Sequence, residues 1–326
     1  MNAANYWLAL DDDVRSAVAS IDTRKQLRVE DLPRLRRERA QRYPEPSSAL
    51  SHADYAAADF RSSHAARVRV HRPAADAEAR PALVWIHGGG YILNSDLADE
   101  DRLDRWVEEH NCVVASVDYR LAPEHPYPAA LDDCYAGLRW LSGHAAEIGV
   151  DVRRIVLAGL SAGGGLAAAS ALMARDRGDV GIAALLLVYP MLEDRDLGYP
   201  SRMIESNVWG PQANQFGWRC YLGSKAGQEE VPVYAAPGRV SELTGLPPTF
   251  IGIAGQDVLR DEDLSFADRL VRSGVRTEVH LYSGAPHGFE RSAPRANVSR
   301  RFVRDIDEFL TAAFRLDALA PAELPR

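Results

Sequence analysis

The chain has 326 residues, 46% of them hydrophobic, which is enough for one large α/β domain or two average ones. Its formal charge of −8 disfavours a nucleic-acid partner and suits an acidic enzyme. The three cysteines, Cys112, Cys134 and Cys220, are odd in number and widely spaced, and the nine histidines show no H-E-x-x-H spacing, so no disulfide framework and no metal site is expected.

The first residues, MNAANYWLALDDDV, lack a basic region followed by a long apolar stretch, and no run of about 18 apolar residues occurs. The expectation is a cytoplasmic protein with reduced thiols, no signal peptide and no membrane span. Residues 1–60 carry no strand signal. Residues 14–21 and 32–41 read as short helices, with Pro33 placed for a first turn. The basic run RLRRERAQR reads as a solvated helix face. Pro44 and Pro46 then break the pattern.

From Arg67 the character changes. RVRV alternates and reads as a strand. ALVWI, 82–86, is continuously apolar and reads as a strand buried on both faces of a parallel sheet. Residues 97–110 show helical spacing, 112–117 are the next strand and 128–141 the next helix. Residues 155–158 are a strand and 162–175 a helix; 183–188 are another buried strand. Strands alternating with helices of this length predict βαβ units and a mainly parallel sheet. The alternation stops at Met191. As far as Pro232 the chain reads as irregular, yet it carries Tyr199, Trp209, Phe216, Trp218 and Tyr221, which argues for a functional insertion over disorder. The pattern resumes with a strand at 249–254, a helix at 262–273, a last strand at 277–282 and a closing helix at 295–314.

The stretch GLSAGGG, 159–165, lies between a strand and a helix, with Ser161 at the apex of the turn. A G-x-S-x-G pentapeptide is a weak signal alone; in this setting it is a nucleophile elbow. Gly159 and Gly163 remove side chains that would crowd so sharp a turn, and the following helix directs its N-terminal N–H groups at the same spot. A serine hydroxyl needs a base, and on such sheets the partners follow in the order Ser, Asp or Glu, His. After Ser161 only His280 and His287 remain. His280 lies inside a strand; His287 follows the last strand, where catalytic loops belong, and is the expected base. AGQDVLRDED offers Asp257, Asp261, Glu262 and Asp263 as the acid. Asp257 stands nearest the strand end, while the others fall where helices place capping acids, so Asp257 is expected to hold the imidazole. HGGG, 87–90, follows a buried strand, and its glycines let backbone donors reach an oxyanion. The N–H groups of Gly88, Gly89 and Ala162 are the expected oxyanion hole. His87 reads as an orienting hydrogen-bonder for that loop, and Glu124 and His125 as structural residues in a proline-rich connection.

HGGGY at 87–91, YRLAPEHPYPAALDD at 119–133, GLSAGG at 159–164, DVLRDE at 257–262 and HGF at 287–289 together resemble the bacterial hormone-sensitive lipase-like esterases of the α/β-hydrolase superfamily. The resemblance spans about residues 67–315. It implies a mainly parallel central sheet flanked by helices, with a helical cap made by residues 1–60 and 191–232, and a core in two parts, 61–190 and 233–326. It departs from the family at Leu160, where Asp is usual, and at Val258, where Pro is usual. The expected activity is hydrolysis of a small-molecule ester of short to medium acyl chain by Ser161, Asp257 and His287, with no cofactor and no metal. A homodimer stays open. The alternatives are a lactonase, amidase or peptidase on the same residues, or a small-molecule receptor of the same fold; the presence of His287 weighs against the receptor.

Overall fold

Residues 82–86 are apolar at every position because both faces of their strand are covered. In the computed structural model, which describes residues 9–19, 21, 27–58, 64–74, 79–206 and 208–317, Ala82, Val84 and Ile86 enter one core cluster, and Leu83 and Trp85 enter another on the opposite face. The chain's first residues, the expected boundary between 60 and 61, and the end of the chain beyond 317 lie outside the described residues.

The strands are β1 (Leu50–Ala58), β2 (Ala65–Pro73), β3 (Arg80–Ile86), β4 (Val113–Asp118), β5 (Val150–Leu160), β6 (Ala184–Val188), β7 (Thr249–Ala254) and β8 (Thr277–Tyr282). They form one eight-stranded sheet in the order β1-β2-β4-β3-β5-β6-β7-β8. The pairs β1/β2 and β2/β4 are antiparallel; every other pair is parallel.

The helices are α1 (Asp12–Val18), α2 (Leu32–Ala40), α3 (Glu100–His110), α4 (Ala129–Gly143), α5 (Ala162–Arg177), α6 (Pro211–Leu222), α7 (Arg260–Arg272) and α8 (Asn297–Ala313), with a single turn at Phe289–Ser292. Helices α4, α5 and α7 cover one face of the sheet and α3 and α8 the other, while α1 packs beside the turn Phe289–Ser292. In α8 the buried apolar residues Val298, Phe302, Ile306 and Leu310 recur every fourth position, forming the stripe that docks on the sheet. Each such side chain contributes about 1.5–3 kcal/mol on burial.

Four sequence readings need correction. Strand β1 lies in a stretch read as free of strands. Its sequence, LSHADYAAA, has little β-propensity, and its pairing with β2 over nine residues makes it the sheet's edge. Strand β5 begins at Val150 rather than 155, because the polar Arg153 and Arg154 sit within it. The insertion is not wholly irregular, since α6 lies in it. The basic run is not simply a solvated face. Arg36 reaches inward from α2, donates to the carbonyls of Ile92 and Ala122, and meets Glu124 through two bonds of 2.8 Å.

Candidate active site

The elbow is held by backbone bonds. Ser161 connects β5 to α5 with φ 58° and ψ −122°, a conformation that costs on the order of 1–3 kcal/mol. Its N–H donates to the Val188 carbonyl at 2.9 Å, and its own carbonyl accepts from Gly165 at 3.1 Å and Met191 at 2.9 Å. The end of β6 therefore pins the turn from both sides. The glycines answer to close backbone approach. A Cβ on Gly159 would lie 2.2 Å from the Gly163 carbonyl oxygen, and one on Gly163 would lie 2.1 Å from that of Ile86. What Gly163 avoids is thus the end of β3 rather than Ser161 itself, and this contact sets the HGGG loop against the elbow.

His287, in the loop after β8, has Nε2 2.9 Å from Ser161 Oγ and Nδ1 2.6 Å from Asp257 Oδ2. All three residues are buried, Asp257 completely. Asp257 Oδ1 also accepts from the Leu259 N–H at 3.2 Å. The neighbouring acids point elsewhere. Asp261 accepts from the Ser201 N–H at 2.8 Å and pairs with Arg260. Glu262 accepts from the N–H groups of Leu192 and Glu193 and pairs with Arg202. Its burial pushes its carboxyl up to about 7. Asp263 is fully buried with neither oxygen hydrogen-bonded, and burial holds its carboxyl well above the usual range. His280 is likewise engaged elsewhere, between Glu278 at 2.8 Å and Asp305 at 3.1 Å.

The HGGG loop is fixed by its own first residue. His87 donates from Nδ1 to the Gly88 carbonyl at 2.7 Å and stacks on Tyr119 with ring centroids 4.2 Å apart. Burial lowers its pKa, which keeps the ring neutral. The Tyr119 hydroxyl donates to the His87 carbonyl at 3.1 Å. A Cβ built on Gly88 would stand 3.3 Å from Ser161 Cβ, so this backbone lies directly beside the serine. No acceptor among the described residues takes the N–H groups of Gly88, Gly89 or Ala162.

Around His287 and Glu290 stand residues to which the sequence reading assigns no role at the site. The Tyr189 ring lies 4.5 Å from the imidazole, and its hydroxyl donates to Glu290 Oε1 at 2.8 Å. Arg102 donates to the same oxygen at 2.9 Å. Trp209, from the insertion, lies over Gly90 and 6.3 Å from His287. Tyr189 follows a strand end, the signal that could have marked it; Trp209 stands in the aromatic-rich insertion the sequence marks as functional, and Arg102 carries no signal.

The comparisons with known proteins bear on the fold and the activity. A family described as having the alpha/beta hydrolase fold matches residues 83–291. The chain belongs to that family. Within it, the chain sits with the hormone-sensitive lipase-like carboxylesterases. It is 38% identical over 219 residues to the esterase LipI of Mycobacterium tuberculosis, covering 66% of this chain and 67% of that protein. It is also 38% identical over 232 residues to the carboxylesterase NlhH of the same species, covering 68% and 70%. Among solved structures, a bacterial heroin esterase superimposes with a TM-score of 0.87 at 33% identity, over 95% of this chain and 99% of the other. The α/β-hydrolase is thus a carboxylic ester hydrolase. No helix among its described residues is long and apolar enough to cross a membrane.

Proposed function

We propose that this esterase cleaves esters of short to medium acyl chain through an acyl-enzyme on Ser161. The observation that carries the reading is the single relay through His287, 2.9 Å from Ser161 Oγ on one side and 2.6 Å from Asp257 on the other. His287 Nε2 takes the hydroxyl proton as Ser161 Oγ attacks the ester carbonyl. The charge that develops on the carbonyl oxygen is met by the N–H groups of Gly88, Gly89 and Ala162, each such donor being worth about 2.7–4 kcal/mol. The imidazolium then gives its proton to the departing alcohol. A water molecule, deprotonated by His287, attacks the acyl carbon, and the proton returns to Ser161 as the acid leaves. Asp257 accepts the Nδ1 proton in a hydrogen bond throughout, fixing the tautomer and stabilising the imidazolium.

The limit on acyl length rests on the cap. We assign to it the amino-terminal helices and residues 191–232. Supporting this, Tyr221 of α6 stacks on Tyr91 at 4.0 Å beside the HGGG loop. At the other side, Asp11, just before α1, donates its N–H to the Gly284 carbonyl in the loop that carries His287. The three cysteines are buried free thiols, which suits the cytoplasm as the proposed location.

The test has two parts. Ser161→Ala should fold normally and hydrolyse nitrophenyl esters at near background, and a phosphonate ester should label Ser161 alone in the wild-type chain. Retention of more than about a hundredth of kcat in the alanine variant rules out this nucleophile, because loss of such a residue costs far more. A rate series over acyl length should peak at short to medium chains; a peak at long chains overturns the cap assignment.

A further inference from the structure

Helix α3 and the 3-10 turn before it, Asp96–Asp99, face β2 through a ladder of charges. Acids at Asp96, Glu100 and Asp104 stand four residues apart, and Arg67, Arg69 and His71 of β2 stand two apart. Along α3 four helical residues rise about 6 Å and two strand residues about 6.6 Å, so Glu100 and Asp104 keep register with Arg69 and His71. Arg67 meets Asp96, Arg69 meets Glu100 Oε1 at 2.7 Å, and His71 meets Asp104 at 2.8 Å. At the last rung His52, the cross-strand partner of His71, joins the cluster. His52 Nε2 also lies 2.8 Å from Asp104 Oδ1.

The protons on this rung can be assigned. Asp104 accepts from the Ser47 N–H at 2.6 Å and lies 2.8 Å from both His71 Nδ1 and His52 Nε2. With a carboxylate oxygen as their common acceptor, His71 Nδ1 and His52 Nε2 are the donors of these two bonds. In a neutral imidazole, His71 Nε2 is then a lone pair. It is buried with no hydrogen-bond partner, and it faces Glu100 Oε2 at 4.0 Å, an oxygen equally buried and unpartnered. A lone pair set against a carboxylate oxygen in a dry site is repulsive unless a cation stands between them. A proton would do this poorly, because 4.0 Å is too long for an N–H···O bond. An ion about 2.1 Å from each atom needs a separation of about 3.4 Å in a tetrahedron, a closure of about half an ångström. His52 supplies a third donor, since His52, His71 and Glu100 each offer one ligand atom and these lie within 4.8 Å of one another.

We propose that His52, His71 and Glu100 bind a divalent transition-metal ion of the zinc class. Asp104 orients both imidazoles, as carboxylates do behind metal-bound histidines, and Arg69 fixes the other Glu100 oxygen. The local charge suits the ion: Arg67 and Arg69 sit among Asp54, Asp96, Glu100, Asp104 and Asp118. The side chain of His52 is 12% exposed and gives the ion a way in, while His71 and Glu100 are sealed. Three protein ligands leave one position for water. The ion ties the edge pair β1 and β2 to α3, away from Ser161, so its role is structural. The ligands come from two strands and a helix, and no linear spacing would reveal them.

The full-length chain, stripped with a chelator, is titrated calorimetrically with Zn²⁺ and melted with and without it. The expected result is one ion per chain and a higher Tm. His52→Gln and Glu100→Gln should each weaken binding at least about tenfold and remove the gain in Tm, with ester hydrolysis unchanged. Co²⁺ added to the wild-type chain gives a readout that needs no variant, a visible band typical of low-coordinate nitrogen and oxygen ligation. Absence of heat, of a Tm shift and of that band overturns the proposal and leaves protonation alone on this rung. Binding that survives both substitutions also overturns it, placing the ion elsewhere, as at the Glu109, His110 and Asp307 cluster.

Discussion

The Tyr189 hydroxyl donates to Glu290 Oε1 at 2.8 Å, and this bond joins the end of β6 to the residue three beyond His287. The Tyr189 ring is the surface on which the imidazole rests. Burial, followed by the charge of Glu290, raises the phenol well above its ordinary range, so it remains a donor. Tyr189→Phe keeps the ring and removes the bond. It should cost about 1 kcal/mol of stability and lower kcat with little change in KM, because the imidazole loses definition while the pocket keeps its shape. Steady-state kinetics and denaturant melts check this; a raised KM at constant kcat would make Tyr189 a substrate contact instead.

Leu160 packs its side chain against the HGGG loop, where a Cβ on Gly88 would meet Leu160 Cδ2 at 2.6 Å. It is half-buried among apolar neighbours. Leu160→Asp places a carboxylate where the chain offers apolar surface. The expected loss is about 1–3 kcal/mol, read as a lower Tm, with ester hydrolysis retained. A higher Tm would mean that a donor for that carboxylate is in place.

Asp263 gives a pH prediction whose sign is fixed. Its folded pKa is raised, by burial first and then by Glu262 and Asp257. The folded state thus holds a proton that the unfolded chain releases above about 3.8. Stability from this group is complete below that value and is lost as pH rises toward the folded pKa, at up to about 1.4 kcal/mol per pH unit. Asp263→Asn keeps the shape and never ionises. Its Tm advantage over wild type should grow steadily from pH 5 to pH 8. A constant difference across that range would mean that Asp263 is ionised in the folded protein.

The order of strands and helices through the core could be read from pattern because its strands are continuously apolar and its helices carry one apolar stripe. Where that logic fails, a partner supplied what the local sequence lacked. Strand β1 exists because β2 offers an edge, and Ala53, Ala56, Ala57 and Ala58 do nothing to announce it. Helix α6 carries Gly217 in its middle, which argues against a helix. A Cβ there would lie 2.8 Å from the Gly90 carbonyl oxygen, so this glycine lets α6 approach the HGGG loop. The serine, the histidine and the nearest acid were legible because strand ends and chain order constrain them. Tyr189, Glu290 and Arg102 were not, since their meeting depends on three separate elements coming together.

Which carboxylate supports His287 is decided by comparing two variants. Asp257 Oδ2 lies 2.6 Å from His287 Nδ1, whereas Asp261 accepts from the Ser201 N–H and pairs with Arg260. Asp257→Asn preserves shape and removes the charge, and its amide can donate to Nδ1, stabilising the tautomer that has its proton on Nε2. In that form the ring cannot take the proton of Ser161. The corresponding change in the serine-protease example lowers kcat about 10⁴-fold, and a fall of three to four orders of magnitude is expected here with KM nearly unchanged. Asp261→Asn acts differently. The side chain anchors the short helical turn Pro200–Met203 to the first turn of α7, and its carboxyl is held below the usual range by Arg260 and Ser201 against its burial. Losing that charge should cost about 1–2 kcal/mol in stability and leave kcat within an order of magnitude. Kinetics and melting curves on the two proteins separate the roles. If Asp261→Asn were the slower enzyme, the acid would have to be reassigned.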